Sequence, residues 1–215
     1  WLGRQARFRL DAEGVRDLAL ASSGLLSAKM GGPGVFPPQP DGCMDLGQHR
    51  KTWKASGGED RFRRAAYTYR WRNTPHPALK VFDAPAGLAA CTRRIRSNTP
   101  LQALTLMNDP AFVELALGLA KRLMAEADSS AKRICLGYRL CLGREPDAEE
   151  LRLLTGLVES QHSEFAAQSA EAEAVVATSR SLGQATQPAS SNTELAAWTM
   201  AARVLLNLDE TITRE

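Results

Sequence analysis

The stretch from Met30 to about Asn98 constrains this chain more than any other part of it. It opens with Met30-Gly31-Gly32-Pro33-Gly34-Val35-Phe36-Pro37-Pro38-Gln39-Pro40. Neither a helix nor a central strand accommodates that run, because proline lacks the amide hydrogen and fixes φ. Pro and Gly recur through the segment and apolar periodicity is nearly absent. Yet the segment holds two of the four Trp (Trp53 and Trp71) and two of the three Tyr (Tyr67 and Tyr69). A long loop of this kind inside a compact domain is uncommon and is often functional. One piece alternates, Tyr67-Thr68-Tyr69-Arg70-Trp71-Arg72. As a strand it places three aromatics on one face and Thr68, Arg70 and Arg72 on the other.

The sequence on either side is helical. Asp11 precedes a helix to about Leu26, with Val15, Leu18, Ala19, Leu25 and Leu26 as its apolar stripe. Thr99-Pro100-Leu101-Gln102 reads as N-cap, N1 proline and capping-box glutamine. Asn108-Asp109-Pro110 restarts the pattern, with Asp109 as N-cap and Phe112, Leu115, Leu119 and Leu123 on one face. A helix over about 131–142 stops at Gly143, and Asp147 with Glu150 forms a capping box for the next. Residues 166–193, rich in Ala, Ser, Gln and Thr, read as a disordered spacer. Thr193 then caps a last helix to about Leu206, with Leu195, Trp198, Ala202 and Leu205 inward. The expected fold is mainly α: an irregular helical bundle with a long Pro/Gly/Arg-rich loop region and at most a short strand pair.

Composition narrows the class without naming a reaction. Hydrophobic residues make up 44% and charged ones 24% of 215, as in ordinary globular chains. No run of eighteen apolar residues occurs, so no membrane span is expected. Trp1 begins in mid-pattern, so residues 1–215 read as one domain, the C-terminal fragment of a larger protein. Residues 1–100 hold 17 Lys and Arg against 8 Asp and Glu, a balance of +9, while the remainder holds 10 against 16, or −6. Mutual neutralisation within one fold accounts for the split. Nucleic-acid binding ranks last, because the charge lies on no single helix and no nucleic-acid motif occurs.

Cys43, Cys91, Cys135 and Cys141 form no C-x-x-C and no haem-attachment motif, and a Cys43–Cys91 disulfide stays open. His49, His76 and His162 show no zinc spacing, so no metal site is expected. His76, between Pro75 and Pro77, reads as a ring displayed at the surface. Hydrolase and nucleotide signatures are absent.

What remains is arginine: Arg61, Arg63, Arg64, Arg70, Arg72, Arg93, Arg94 and Arg96, eight within thirty-six residues. With Tyr67 and Trp71 they suit an anionic or sugar-stacking ligand, since forked donors match sulfate and carboxylate. They suit equally the stitching of a loop that lacks a ladder to satisfy its backbone. Asp83 and Glu59 are the candidate acid or base if the segment is catalytic.

These residues also carry a resemblance. Met30–Gly42, Gly57-Gly58-Glu59-Asp60-Arg61-Phe62-Arg63-Arg64, Phe82-Asp83-Ala84-Pro85 and Cys91–Leu104 occur in that order. Leu106–Glu114, Leu142-Gly143-Arg144-Glu145-Pro146 and Ala202–Glu210 follow. The chain resembles the planctomycete-type domain of unknown function numbered 1553, called PSD-one. That resemblance implies an exported, extracytoplasmic, multi-domain parent. Any c-type haem would sit in an upstream domain, with no cofactor in this chain. It further implies the upstream domains as partners, and a link to sulfatase-like proteins and anionic polysaccharide breakdown. The expected role is a C-terminal accessory or binding module. The alternative is part of a hydrolase or lyase acting on anionic polysaccharide. The resemblance transfers no catalytic residue.

Overall fold

A computed structural model describes residues 7–46, 52–177 and 191–214. Eight α-helices and a two-stranded sheet occur among them: α1 Ala12–Ser22, α2 Pro77–Val81, α3 Pro100–Asn108, α4 Pro110–Glu126, α5 Ser130–Leu142, α6 Ala148–Ala167, α7 Ser169–Ala177 and α8 Asn192–Asn207. Strand β1 (Phe8–Arg9) pairs antiparallel with β2 (Thr213–Arg214), Phe8 opposite Arg214. The fold is therefore mainly helical, as expected.

Helix α4 is the centre. Phe112, Leu115, Leu119 and Leu123 are buried as the periodicity required, and so are Ala116, Leu117 and Ala120 on the flanking faces. A helix apolar nearly all round must be covered on all sides. Helix α8 covers it most extensively and itself packs on α6 and α7, with Trp198, Ala202 and Leu205 inward. Each such side chain contributes about 1.5–3 kcal/mol on full burial. Gly137 of α5 permits a close approach to α8, because a Cβ there would lie 2.6 Å from Leu205 Cδ1.

The local stop signals act as read. The Asp109 carboxylate accepts from Ala111 N at 2.9 Å, and the chain bends by 59° between α3 and α4. Arg203 of α8 donates from Nε to Met107 O at 2.9 Å, satisfying a carbonyl at the end of α3. Gly143 takes φ 78° after α5, and its amide donates to Tyr138 O and Arg139 O. Asp147 and Glu150 exchange both capping-box bonds at 2.8 Å. Arg144 then forks between Glu150 and Glu210, tying the α5–α6 turn to the C-terminal 3-10 turn Asp209–Ile212. That bond to Arg144, against a small cost of burial, holds the Glu150 carboxyl down at about 2.

Several expectations are corrected. Helix α1 ends at Ser22 rather than Leu26, which is 36% exposed. Gly24 then turns the chain at φ 73°. Gln102 does not close a capping box: it is buried, and its Nε2 donates to Val81 O and Ser97 Oγ at 3.0 and 3.1 Å. The expected spacer begins too early. Residues 166–177 complete α6 and form α7, because alanine favours helix and Ala172 and Val176, one turn apart, are buried in the core. The rest of that spacer, to residue 190, lies outside the described residues. Ser191, not Thr193, caps α8, accepting from Glu194 N at 3.1 Å. All four cysteines are free thiols, so the Cys43–Cys91 pairing is not formed. Burial pushes the Cys141 thiol up to about 12. Among the described residues no single helix is long and apolar enough to cross a membrane.

Candidate functional site

The irregular segment is held by side-chain donors aimed at its carbonyls. Proline-rich backbone cannot build a ladder, so its acceptors need other partners. Arg63, 1% exposed, donates to Pro33 O at 3.0 Å and to the carbonyls of Lys29 and Gly31, and lies over the Tyr67 ring at 3.8 Å. Trp53 Nε1 donates to Pro37 O at 2.7 Å. Arg16 of α1 donates to Arg61 O at 3.1 Å, and Arg61 Nε pairs with buried Glu114 of α4 at 2.7 and 2.9 Å. These bonds fasten the segment to the helical core.

The expected strand at Tyr67–Arg72 is not formed. Tyr67 ends a 3-10 turn, Ala65–Tyr67, and Thr68 makes only an isolated bridge to Val35. Val35 N bonds Tyr67 O and Tyr69 N bonds Val35 O, but Pro37 and Pro38 prevent the pairing from extending. Tyr67 is accordingly separated from the other aromatics and serves Arg63.

The remaining arginines divide. Arg64 pairs with Asp17 at 3.0 Å, and Arg70 donates to Pro85 O at 2.8 Å. Arg94 forks onto Glu13 at 2.6 and 3.2 Å, and Arg96 reaches Asp11 at 3.2 Å, so both use acids at the start of α1. Burial is the largest single influence on Glu13 and works against its charge, but the Arg94 bond, a backbone hydrogen bond and the charges of Arg94 and Arg70 together keep this carboxyl below its ordinary range. Arg72 and Arg93 are exposed, and among the described residues neither guanidinium makes a hydrogen bond or ion pair, though Arg93 O accepts from Cys91 Sγ at 3.4 Å.

Of the predicted site residues, Asp83, Arg94 and Arg96 come together, lining one crevice with Arg9 and Asp11. The crevice measures about 10 Å³, the room of one water. Asp83 has a positive φ of 61° and closes α2. Its Oδ2 accepts from Ser97 N and Ser97 Oγ, both at 2.7 Å. Glu59 stands apart on the 3-10 turn Gly58–Phe62, exposed. Among the described residues, no group of three or more His, Cys, Asp or Glu side chains could hold a metal ion.

A second grouping is aromatic. Phe36 stacks on Tyr69, centroids 4.9 Å apart and planes at 22°, and Trp71 meets Tyr69 edge-on at 5.1 Å. Trp53 stands edge-on to Phe36 at 5.1 Å and tilts against His76 at 5.6 Å. Tyr69 is 38% exposed at the outer side, and Arg72 lies beyond Trp71 in the chain. His76 is the inner end, not a displayed ring: it is 3% exposed, and its Nε2 lies 2.9 Å from Pro38 O. Burial holds its pKa down at about 4, partly offset by the Pro38 bond. The flanking prolines fix the backbone around His76 but say nothing of which way its ring faces. Phe36, Trp53, His76 and Arg16 were not among the predicted site residues. The nearest signal for them was the aromatic content of a segment without apolar periodicity.

Chemically, the crevice offers a carboxylate whose hydrogen bonds are already made. The aromatic face offers a stacking surface, with the exposed Arg72 next to Trp71 in the chain. No curated protein and no solved structure matches the chain. The family model PSD1, described as a protein of unknown function (DUF1553), matches residues 1–158, to the middle of α6 and short of the terminal motif at Ala202–Glu210. With nearly three quarters of its length matched, the chain belongs to the PSD1 family of domains of unknown function.

Proposed function

We propose that this chain is a non-catalytic binding module that takes an anionic polysaccharide on the aromatic face of its irregular segment. The observation that carries the reading is the stacked pair Phe36–Tyr69, edged by Trp71, with Tyr69 38% exposed and the exposed Arg72 next to Trp71 in the chain. Sugar rings stack on such faces through their C–H surfaces, and a guanidinium supplies the forked donor for a sulfate or carboxylate. In this reading Arg63, Arg64, Arg70, Arg94 and Arg96 build the segment, and Arg72 meets the ligand directly. The module works at the C-terminal end of an exported, cytochrome-associated parent, beside a sulfatase-like partner. Its haem lies in an upstream domain.

The enzymatic alternative draws on Asp83 between Arg94 and Arg96. It is the weaker reading, because that carboxylate is committed to Ser97 and the crevice admits no sugar. The test is calorimetric titration of a sulfated and a neutral oligosaccharide of equal length into the chain, with the double variant Tyr69→Ala/Arg72→Ala alongside. Binding of the sulfated glycan that drops at least tenfold in the variant is expected. No binding, or equal binding by the variant, overturns the reading. Turnover lost on Asp83→Asn with folding intact would establish the alternative.

A further inference from the structure

One enclosed cavity lies apart from the Asp83 crevice and at the inner, His76 end of the aromatic grouping, where α1, α2, α4 and the irregular segment meet. It measures about 10 Å³, the threshold for holding one water. Pro37, Phe82 and Phe112 supply apolar wall, and three polar side chains reach it: Arg16, Thr68 and His76. Arg16 is 5% exposed and His76 3%. Arg16 Nε, Thr68 Oγ1 and His76 Nδ1 are each buried without a protein partner. Buried polar atoms are rarely left unsatisfied, and three around one cavity require a common partner.

The hydrogen-bonding directions identify that partner. Pro38 O can only accept, so His76 Nε2 carries the ring proton and Nδ1 presents a lone pair. Arg16 Nε can only donate, and Thr68 Oγ1 can do either. An anion would face the Nδ1 lone pair, and a cation would face the guanidinium. A water satisfies all three groups: it accepts from Arg16, donates to His76 and bonds the Thr68 hydroxyl. We propose that Arg16, Thr68 and His76 form a built site for one internal water. That water joins the irregular segment to α1 beneath the aromatic face.

Oxygen-17 relaxation dispersion counts long-lived waters, and nitrogen-15 spectra of the histidine ring report the state of Nδ1. The intact chain is expected to hold one more long-lived water than His76→Phe. Its His76 Nδ1 resonance should be that of a hydrogen-bonded lone pair. Thr68→Val, close in shape, keeps the test open if His76→Phe does not fold. It should shorten the residence of that water at least several-fold and shift the Nδ1 resonance. An unchanged water count and residence time, or a proton found on Nδ1, overturns the proposal.

Discussion

The α4–α8 core and the irregular segment between α1 and α3 are held together by different physics. In the core, Leu117, Ala120, Ala196 and Ala202 are wholly buried, and the backbone satisfies itself within each helix. In the segment, backbone acceptors are satisfied by Arg63, Trp53, Arg16 and His76, and a partly exposed aromatic group stands beside a few buried anchors, among them Val35, Phe62, Leu79 and Phe82. Burial is non-directional and tolerates substitution by volume, whereas a forked donor on two or three carbonyls does not. The arginine richness of the irregular segment therefore has mostly an architectural cause.

That contrast sets the order of expected effects. Trp198→Ala, at a site 2% exposed in the middle of the core, should cost about 3–5 kcal/mol. The loss would appear as one cooperative shift of the urea midpoint seen equally by all helices. Arg63→Ala should cost about 2–3 kcal/mol, from unsatisfied carbonyls and a lost charge-assisted donor. Its effect should concentrate at residues 29–36 and 64–69 in hydrogen exchange. Arg63→Lys should recover little, because an ammonium cannot reproduce the fork.

Acid should separate the regions next. His76 has a folded pKa of about 4, below the ~6.5 of a free histidine. Between those values the unfolded chain binds the extra proton, so stability from His76 is present above about pH 6.5 and lost as pH falls towards 4. The slope is at most about 1.4 kcal/mol per pH unit. Asp109, pushed up to about 6 by burial against its bond from Ala111 and the Arg16 charge, has the opposite sign. There the folded form holds the extra proton between about pH 6 and 4, so falling pH favours folding. His76→Gln should therefore be less destabilising at about pH 4.5 than at about pH 7, read from urea midpoints of variant and parent at each pH. A penalty independent of pH would remove the buried neutral histidine. The smallest effect is Asp147→Ala, which deletes one side of the capping box and should cost about 1 kcal/mol, confined to the start of α6.

Legibility from sequence followed the same division. Asp109-Pro110, Gly143 and Asp147 with Glu150 act within one turn of themselves, so their roles were readable without knowing what packs where. Gln102 matched a capping pattern but turned inward, where its amide serves Val81 O, well outside that pattern, and Ser97 Oγ just before it. The strand expected at Tyr67–Arg72 failed for want of a partner, while β1 and β2 found each other some two hundred residues apart. Asp83, Arg94 and Arg96 were singled out from the sequence, and the fold brings them to one crevice. Their acidic partners on α1 were not foreseeable, since the pairing is spatial. His76 was read outward because burial is decided by Pro38 and Trp53, which periodicity does not report.

The central claim is that directed side-chain bonds, more than apolar burial, hold the proline-rich part of the irregular segment. Native-state hydrogen exchange on Arg63→Ala tests it most directly. The account predicts at least tenfold faster exchange at Val35, Tyr67 and Tyr69, whose amides sit in the bridged and turned part of the segment, with α4 and α8 protected as before. Equal loss of protection in α4 and α8, or an unchanged segment, would contradict it.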